Sequence, residues 1–324
     1  MKVSDVLRDK PLRNNSIGGQ AVLEGVMMRG KGMYALSVRT PSKEIETVKT
    51  PLKSAAQKYK ILGWPIIRGI LAFVNSMYMG MKVIYTSAEL AGLDDLEGDE
   101  EPSRFDRFLQ KVFGDKLYDF IMMLSVGIAI VLGIGIFMVL PAWLSSFITP
   151  FLHGRLWFVG VIEGIVRILI FLAYIFLISR TKEVRRVFQY HGAEHKTINC
   201  YEHREEMTVK NVRRYSRLHK RCGTSFLLLV MVVSMVVFFF VRTDTLWIRI
   251  VSRILLVPFV AGISYELIRW AGKSDSLLVG LISYPGLCLQ KITTLEPDDD
   301  QIEVAIAALN GVLEEEPQDE LPVA

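Results

Sequence analysis

The chain has 324 residues, of which 51% are hydrophobic and 22% are charged, and its mean hydropathy is +0.33. That composition excludes an intrinsically disordered chain, and it is more apolar than a soluble domain of this size requires. The net charge of +4 is modest, but residues 296–324 hold ten acidic residues and no lysine or arginine. Three widely separated cysteines do not indicate a disulfide framework. We therefore expect an α-helical integral membrane protein with soluble ends.

Residues 1–60 predict a cytoplasmic region that contains β-strands. Ile17–Met28 and Tyr34–Lys49 are short runs rich in valine, leucine, isoleucine and threonine, with glycines between them. Pro41-Ser42-Lys43 is typical of a turn, so the two runs favour a small antiparallel sheet. The opening residues lack the apolar core of a signal peptide, so the first membrane helix is expected to direct insertion.

Residues 61–88 predict a helix that lies at the membrane surface or re-enters the membrane. Pro65, Arg68, Asn75 and Lys82 interrupt its apolar residues and give it an amphipathic pattern. Residues 89–116 then predict an acidic linker and a segment that leads into the first span.

Residues 117–268 predict a four-span membrane bundle that includes a basic cytoplasmic loop at 179–223. Each span has roughly 20 mostly apolar residues, the length at which a helix crosses a bilayer. The four predicted spans are Phe120–Leu140, which Pro141 is expected to end, Leu156–Ile178, Thr224–Val241 and Leu246–Ile268.

Residues 269–313 predict an interfacial segment followed by an amphipathic helix. Leu277–Leu289 is too short to span and contains Tyr284-Pro285-Gly286. Asp298–Leu313 repeats apolar residues at helical spacing and has acidic residues at its start, which is typical of a capped helix. Residues 314–324 are expected to be a disordered acidic tail.

The distribution of basic residues sets the predicted topology. Residues 179–223 contain twelve lysines and arginines against five acidic residues, whereas residues 142–155 and 242–245 contain one arginine each. By the positive-inside rule the basic loop is cytoplasmic. With four spans, both termini then lie on the cytoplasmic side as well.

The sharpest chemical signal is the pattern H-x-x-E-H at residues 191–195. On a helix, His191 and His195 lie one turn apart on one face, which suits two ligands of a single zinc ion. Glu194 lies beside them as the candidate catalytic base, where it could take a proton from water at the metal. Over these five residues the pattern resembles the inverzincin metalloproteases. Gly192 weakens the helix on which the arrangement depends.

A third metal ligand has three candidates, Glu202, His219 and Cys222. Glu202 lies on nearly the same helical face, but roughly 10 Å beyond His195 along a straight helix, so the chain would have to bend near residues 199–201. His219 and Cys222 precede the third predicted span and therefore return to the same membrane face. The alternative interpretation is that these side chains only decorate a cytoplasmic loop that faces acidic lipids.

A second signal lies inside a predicted span, where Glu163 and Arg167 are one helical turn apart. Charged side chains are costly at that depth unless they are paired or face a polar interior. The pair indicates either a structural ion pair, with neighbours such as Glu266 or Arg253, or part of a polar cavity. Arg249 and Arg253 lie near the start of the fourth predicted span, from which they can snorkel to the surface.

A third signal is the glycine-rich stretch of residues 18–30, in which Glu24 and Arg29 are the charged residues. Glycines permit tight backbone turns, so Glu24 and Arg29 are candidate polar sites held between them. Neither the P-loop pattern nor the dinucleotide-binding spacing is present. The structural interpretation is that the glycines only shape a compact sheet.

Four stretches together resemble the YqhQ-like family of bacterial membrane proteins. They are GGQAVLEGVMMRG, YHGAEHKTINCYE, LHKRCGTSF and YPGLCLQKITTLEPDDDQIEVA, and the resemblance runs from about Gly18 to Ala307. The function of that family is unknown, and the family is commonly labelled a predicted metal-dependent enzyme. The family pattern adds candidate site positions but supplies no role for any of them. These positions are Glu24, His191, Glu194, His195, Glu202, His219, Cys222 and Glu296.

The leading hypothesis is a metal-dependent enzyme of the bacterial cytoplasmic membrane, a hydrolase with its His/Glu site at the cytoplasmic face and zinc as the expected divalent ion. Its substrate would be a membrane-protein segment or a lipid-linked molecule. The alternative is a non-enzymatic membrane factor that assists transport, insertion or assembly of other membrane proteins, with the basic loop on anionic headgroups. An open polar groove between the second and fourth spans would favour that factor. No nucleic-acid partner is expected.

Overall fold

A computed structural model of the chain describes residues 17–52, 63–93, 117–148, 156–220, 222–241, 245–271 and 277–314, together with Val3, Val6, Phe151 and Thr243. The described chain is mostly helical and has one antiparallel sheet, as predicted. The strands are β1 (Gly18–Val22), β2 (Gly25–Arg29), β3 (Met33–Arg39) and β4 (Ile45–Pro51). The helices are α1 (Ile67–Leu90), α2 (Leu117–Ile134), α3 (Leu140–Ser146), α4 (Leu156–Ile178), α5 (Lys182–Glu202), α6 (Val209–Arg213), α7 (Gly223–Phe239), α8 (Leu246–Ala271), α9 (Leu277–Thr293) and α10 (Asp299–Leu313).

The chain divides into two compact units. The first comprises residues 1–93, 174–230 and 258–324 and contains the sheet with α5 and α10. The second comprises residues 94–173 and 231–257 and consists, where described, of apolar helices. The predicted acidic linker and acidic tail lie almost entirely outside the described residues.

The sheet in the first unit is a meander in the order β1-β2-β3-β4, and its central strands β2 and β3 are buried on both faces. Alternate residues of a strand point to opposite faces, so each strand can serve two cores. Val26 and Met28 pack with α5 and α10 on one side. Leu36 and Val38 pack with Val83 of α1 on the other side. The sheet therefore fixes the position of α5, on which the candidate metal ligands lie.

Helix α10 confirms the predicted capped helix at the C-terminal end. The side chain of Asp298 accepts a hydrogen bond from the backbone N–H of Gln301, and the Gln301 side chain accepts one from the N–H of Asp298. This reciprocal arrangement is a capping box, which satisfies donors left open in the first helical turn. Near the C-terminal end of the helix, Gly311 packs closely on Ala35 of β3.

Helix α1 begins at Ile67, so Pro65 precedes the helix and does not interrupt it. A Cβ atom at Gly69 would lie 2.9 Å from the carbonyl oxygen of Gly262, which means that α1 and α8 pack backbone to backbone there. Arg68 forms a bidentate ion pair with Glu266 beside this contact. Glu266, considered above as a neighbour of Glu163 and Arg167, thus has a different partner.

Within the described part of the chain, three helices are long and apolar enough to cross a membrane: Leu124–Ser146, Phe158–Ile178 and Leu246–Trp270. They correspond to the first, second and fourth predicted spans. The third predicted span is represented by a shorter apolar helix, Phe226–Phe239.

The prediction that Pro141 ends the first span was wrong. A π-helical turn at Gly135–Val139 joins α2 to α3, and the helix continues through Pro141 to Ser146. Proline has no N–H, and its ring clashes with the carbonyl group four residues earlier in a regular α-helix. Here that carbonyl group belongs to Phe137, and it accepts a hydrogen bond from Nε of Arg167 at 2.8 Å. The wider turn and the arginine together let the helix pass the proline.

Candidate metal centre

Helix α5 runs unbroken from Lys182 to Glu202, and Gly192 is helical within it. A Cβ atom at Gly192 would lie only 1.9 Å from the carbonyl oxygen of Leu295. The N–H of Leu295 also donates to the carbonyl oxygen of Phe188 at 2.8 Å. The segment that follows α9 therefore lies directly on the backbone of α5, and this contact explains the glycine.

His191 and His195 point the same way from α5, with ring centroids 4.4 Å apart. Nδ1 of His191 lies 2.8 Å from the carbonyl oxygen of Thr293, and Nδ1 of His195 lies 2.7 Å from that of Arg217. A carbonyl oxygen can only accept, so each Nδ1 carries a proton, and in the neutral ring Nε2 then presents the lone pair. Histidines that bind metals are oriented in this way by hydrogen bonds from their second nitrogen.

Cys222 supplies the third ligand-type atom. Its Sγ lies 3.2 Å from Nε2 of His191, and the ligand atoms of His191, His195 and Cys222 all lie within 4.8 Å of one another. Zinc bonds of about 2.0–2.3 Å place ligand atoms roughly 3–4 Å apart, so small side-chain rotations would bring these three atoms to the spacing that one ion needs. The backbone N–H of Thr224 donates to the sulfur at 3.4 Å, which orients it at the start of α7.

Glu202 and His219, the other candidates for the third ligand, lie outside this group of ligand atoms. Because α5 does not bend at residues 199–201, Glu202 remains about two helical turns beyond His195. Both side chains are buried, and Nε2 of His219 lies 3.5 Å from a carboxylate oxygen of Glu202. The ring of His219 is 5.7 Å from that of His195. The two residues therefore form a polar pair next to the metal ligands.

The loop between α6 and α7 is held in place by polar side chains that sequence reasoning missed. Lys196 and Asn199 of α5 each donate two hydrogen bonds of 2.7–3.2 Å to backbone carbonyls of this loop. Gln290 of α9 accepts from the N–H of His219 and donates to its carbonyl oxygen, both at 2.9 Å. The carbonyls bound by Lys196 and Asn199 are those of Arg213, Tyr215, Ser216 and Leu218. These hydrogen bonds fix the path of the loop, which brings Cys222 close to His191 and His195.

Glu194 faces the sheet. The backbone N–H of Gly19 in the edge strand β1 donates to its carboxylate, and a Cβ atom at Gly19 would lie 2.8 Å from the Glu194 carboxyl carbon. Glu194 is 5% exposed, and its Oε2 has no hydrogen-bond partner among the described residues. Burial raises the pKa of Glu194, whereas the neighbouring His195 and His219 lower it. The glycine-rich stretch thus leaves room for this carboxylate.

Burial also sets the charge of His195. It lowers the pKa of this imidazole to about 4, although Glu194 acts in the opposite direction. His195 is therefore neutral near pH 7, which is the form that binds a metal.

Glu24 anchors the turn between β1 and β2 to α5. Its backbone is in the left-handed region with a φ of 51°, and its carboxylate forms a bidentate ion pair with Arg186. The hydroxyl group of Tyr190 donates to the same carboxylate at 3.3 Å. Burial raises the pKa of Tyr190, so the hydroxyl keeps its proton. Arg29, by contrast, is exposed at the end of β2.

Glu296 links the segment before α10 to the loop. Its side chain is 67% exposed and lies 2.9 Å from Nζ of Lys196 and 3.4 Å from Nε of Arg217. Ion pairs this exposed contribute little to stability. We infer that Glu296 helps to orient the loop and does not belong to the metal ligands.

The charged side chains of the second unit form a separate group. Glu163 is buried and contacts Arg167 at 3.0 Å, Arg253 in a closer ion pair and Arg249 at 3.9 Å. The side chains of Arg249 and Arg253 are only 6% and 2% exposed. They do not snorkel to a surface, as their position near the start of α8 suggested, because Glu163 compensates part of their charge inside the unit.

Comparison with known proteins places the chain in a family. The chain is 38% identical to "Uncharacterized protein YqhQ" of Bacillus subtilis (strain 168) over 297 residues, which cover 91% of this chain and 92% of that protein. No solved structure matches it. A family model described as "Protein of unknown function (DUF1385)" matches residues 64–315. The predicted resemblance is thus confirmed, and the chain belongs to this family.

Proposed function

We propose that this protein is a metal-dependent membrane enzyme in which His191, His195 and Cys222 bind one divalent ion. The observation that carries the proposal is the convergence of their three ligand atoms within 4.8 Å. Both imidazoles are also held by backbone carbonyls that leave Nε2 as the lone-pair nitrogen. Histidines that only decorate a basic loop would not need this shared orientation.

Zinc is the ion that best fits this donor set. One thiolate and two imidazoles suit zinc among the divalent ions, and three protein ligands leave one position of a tetrahedron open. An open position distinguishes catalytic zinc sites from structural ones, and zinc bound there would supply a Lewis acid.

Glu194 is the proposed proton acceptor of a hydrolytic reaction. One side of its carboxylate is anchored by the N–H of Gly19, while Oε2 is buried with no hydrogen-bond partner among the described residues. This carboxylate interacts electrostatically with His195 and His219, and its spare oxygen would accept a proton from water at the site. Glu194 also has a structural role, because it accepts a hydrogen bond from a backbone N–H of the edge strand β1, and this role is compatible with the proposed function.

The proposed setting is the bacterial cytoplasmic membrane, with four spans and both termini in the cytoplasm. The three long apolar helices would cross the bilayer, and α7 would be the fourth span. Cys222 immediately precedes α7, which would put the metal centre at the membrane boundary. Its substrate class would be a membrane-protein segment or a lipid-linked molecule, with anionic headgroups contacting the basic loop. The charged groups between α4 and α8 are buried, so they do not favour the alternative membrane factor with an open polar groove.

Metal analysis of the full chain purified in detergent tests the centre. We expect about one zinc per wild-type chain and almost none in a His191→Ala/His195→Ala variant, because two of three ligands are lost. His203→Ala is the matched control, since His203 lies at the end of α5 but bonds to the carbonyl oxygen of Asn199. Absence of zinc from wild type after loading, or equal loss in the control, would contradict the proposal.

Cysteine labelling in cells tests the topology. A cysteine introduced at Phe151, in a segment poor in basic residues, should react with a membrane-impermeant maleimide from outside. A cysteine introduced at Lys210, in the basic loop, should react only after the membrane is opened. Both positions are exposed, so accessibility within the protein does not decide the result. The unmodified chain, with its three native cysteines, gives the background. Labelling of both positions from the same side would overturn the four-span arrangement.

A further inference from the structure

A group of buried arginines surrounds one carboxylate in the second unit. Arg167 and Arg253 both reach Oε1 of Glu163, and the side chains of these three residues are 5%, 2% and 1% exposed. Arg249 also lies within 3.9 Å of Glu163. Guanidinium groups remain charged at any physiological pH. Glu163 can neutralise only one of the charges that it contacts.

Among the described residues, the other contacts of Arg167 and Arg253 carry no negative charge. Nε of Arg167 donates to the carbonyl oxygen of Phe137, which Pro141 leaves without its usual helical donor. Both Arg167 and Arg253 lie over the ring of Phe238, at 5.1 and 5.4 Å from its centroid. Carbonyl dipoles and aromatic faces attract a cation but do not cancel its charge.

Arg253 differs from Arg167 in its hydrogen bonding. It is the largest fully buried side chain of the described residues. Its Nε is buried with no hydrogen-bond acceptor among them, whereas Nε of Arg167 has the Phe137 carbonyl. A buried charged donor without an acceptor is strongly unfavourable and therefore rare. The group thus has surplus positive charge and an open donor at the same place.

We propose that Arg167 and Arg253 form a binding site for a phosphate oxyanion within the apolar helical unit. The planar fork of a guanidinium matches the spacing of oxygens on phosphate, and such bonds are strongest where water is excluded. The oxyanion would add the missing negative charge and give Nε of Arg253 an acceptor. Its source is either free inorganic phosphate or the phosphate of a lipid headgroup. The site is independent of the metal ligands, which belong to the other unit.

Glu163 competes with the oxyanion for the same guanidinium groups. Glu163→Gln removes that negative charge but keeps the size of the side chain. If the arginines bind an oxyanion, this variant should bind it at least about tenfold more tightly, because a charge about 4 Å away is removed from a site shielded from water. If the four charged residues only form a structural network, the variant should be less stable and gain no affinity for the anion.

The test uses the full chain, stripped of lipid in a nonionic detergent, and follows thermal unfolding. Inorganic phosphate is compared with chloride at equal ionic strength, and phosphatidylglycerol in mixed micelles is compared with diacylglycerol, which has no phosphate. In wild type we expect a rise in Tm with phosphate or with phosphatidylglycerol that the matched controls do not give. A response to phosphate alone identifies a free anion, and a response to phosphatidylglycerol alone identifies a headgroup. No response to either would overturn the proposal.

Variants separate this site from surface charge. Arg253→Gln should abolish the rise in Tm, while Arg180→Gln, which changes an exposed arginine beyond α4, should leave it intact. A response that survives in Arg253→Gln would overturn the proposal. If Arg253→Gln does not fold, Glu163→Gln decides: tighter binding supports the site, and unchanged or weaker binding overturns it.

Discussion

Replacing Cys222 with serine should lower the zinc affinity of the purified protein by more than about 100-fold. Loss of residues that merely orient metal ligands costs about 10–100-fold in affinity, and loss of a ligand itself should cost more. Serine keeps the size of the side chain, but its hydroxyl group is a far poorer zinc ligand than a thiolate. Competition with a chromophoric zinc chelator, in detergent at fixed pH, measures the change.

Cys288→Ser is the matched control for this prediction. Cys288 lies on α9 and is outside the group of converging ligand atoms, so its replacement should leave zinc affinity unchanged. Equal losses in the two variants would show that general destabilisation was responsible. Unchanged affinity in Cys222→Ser would mean that the third ligand is another residue, and Glu202 and His219 would be the next to replace.

Half of the metal centre could be predicted from local periodicity. His191 and His195 are four residues apart, and a helix places such residues on one face whatever surrounds it. The same reasoning predicted α10 from its spacing and its first acidic residues. These features depend on a single element, and so a single stretch of sequence contains them.

The choice of Cys222 over Glu202 and His219 could not be predicted in the same way. It depends on the path of the loop between α6 and α7, which is set by bonds from Lys196 and Asn199 to backbone carbonyls. Every residue except proline offers the same backbone N–H, and all offer the same carbonyl group, so these bonds leave no pattern in the loop sequence. The sequence shows the polar side chains of α5, but it does not show which carbonyl groups accept their hydrogen bonds.

Two predictions about helices failed or were incomplete because tertiary contacts override local preference. Pro141 was expected to end a helix, yet the π-helical turn and the bond from Arg167 to Phe137 carry the helix past it. For Arg253 two outcomes were considered, a place beside Glu163 and Arg167 or a side chain that reaches the surface, and its burial with Glu163 decides for the first. In both cases the deciding partner comes from a different helix, which propensity does not consider.

Replacing Gly192 with alanine should destabilise the protein by about 3 kcal/mol, the upper part of the usual range for overpacking. The new Cβ atom would lie 1.9 Å from the carbonyl oxygen of Leu295, and a backbone atom cannot rotate away as a side chain can. Helix propensity alone predicts the opposite sign, since alanine in a helix is favoured over glycine by roughly 1 kcal/mol. Denaturant unfolding of the full chain in detergent, monitored by circular dichroism, shows whether the substitution lowers or raises the free energy of unfolding.

Gly280→Ala is the control for Gly192→Ala, because Gly280 is also helical and, among the described residues, no atom outside the backbone of its own helix lies within 4 Å of its Cβ position. It should leave stability unchanged or raise it by about 0.4–1 kcal/mol. Gly192→Ala should also weaken zinc binding, since moving Leu295 away from α5 shifts the neighbouring Thr293 carbonyl that holds Nδ1 of His191. If Gly192→Ala stabilised the chain as Gly280→Ala does, the segment after α9 would not lie on α5, and the orientation of His191 would lose its structural cause.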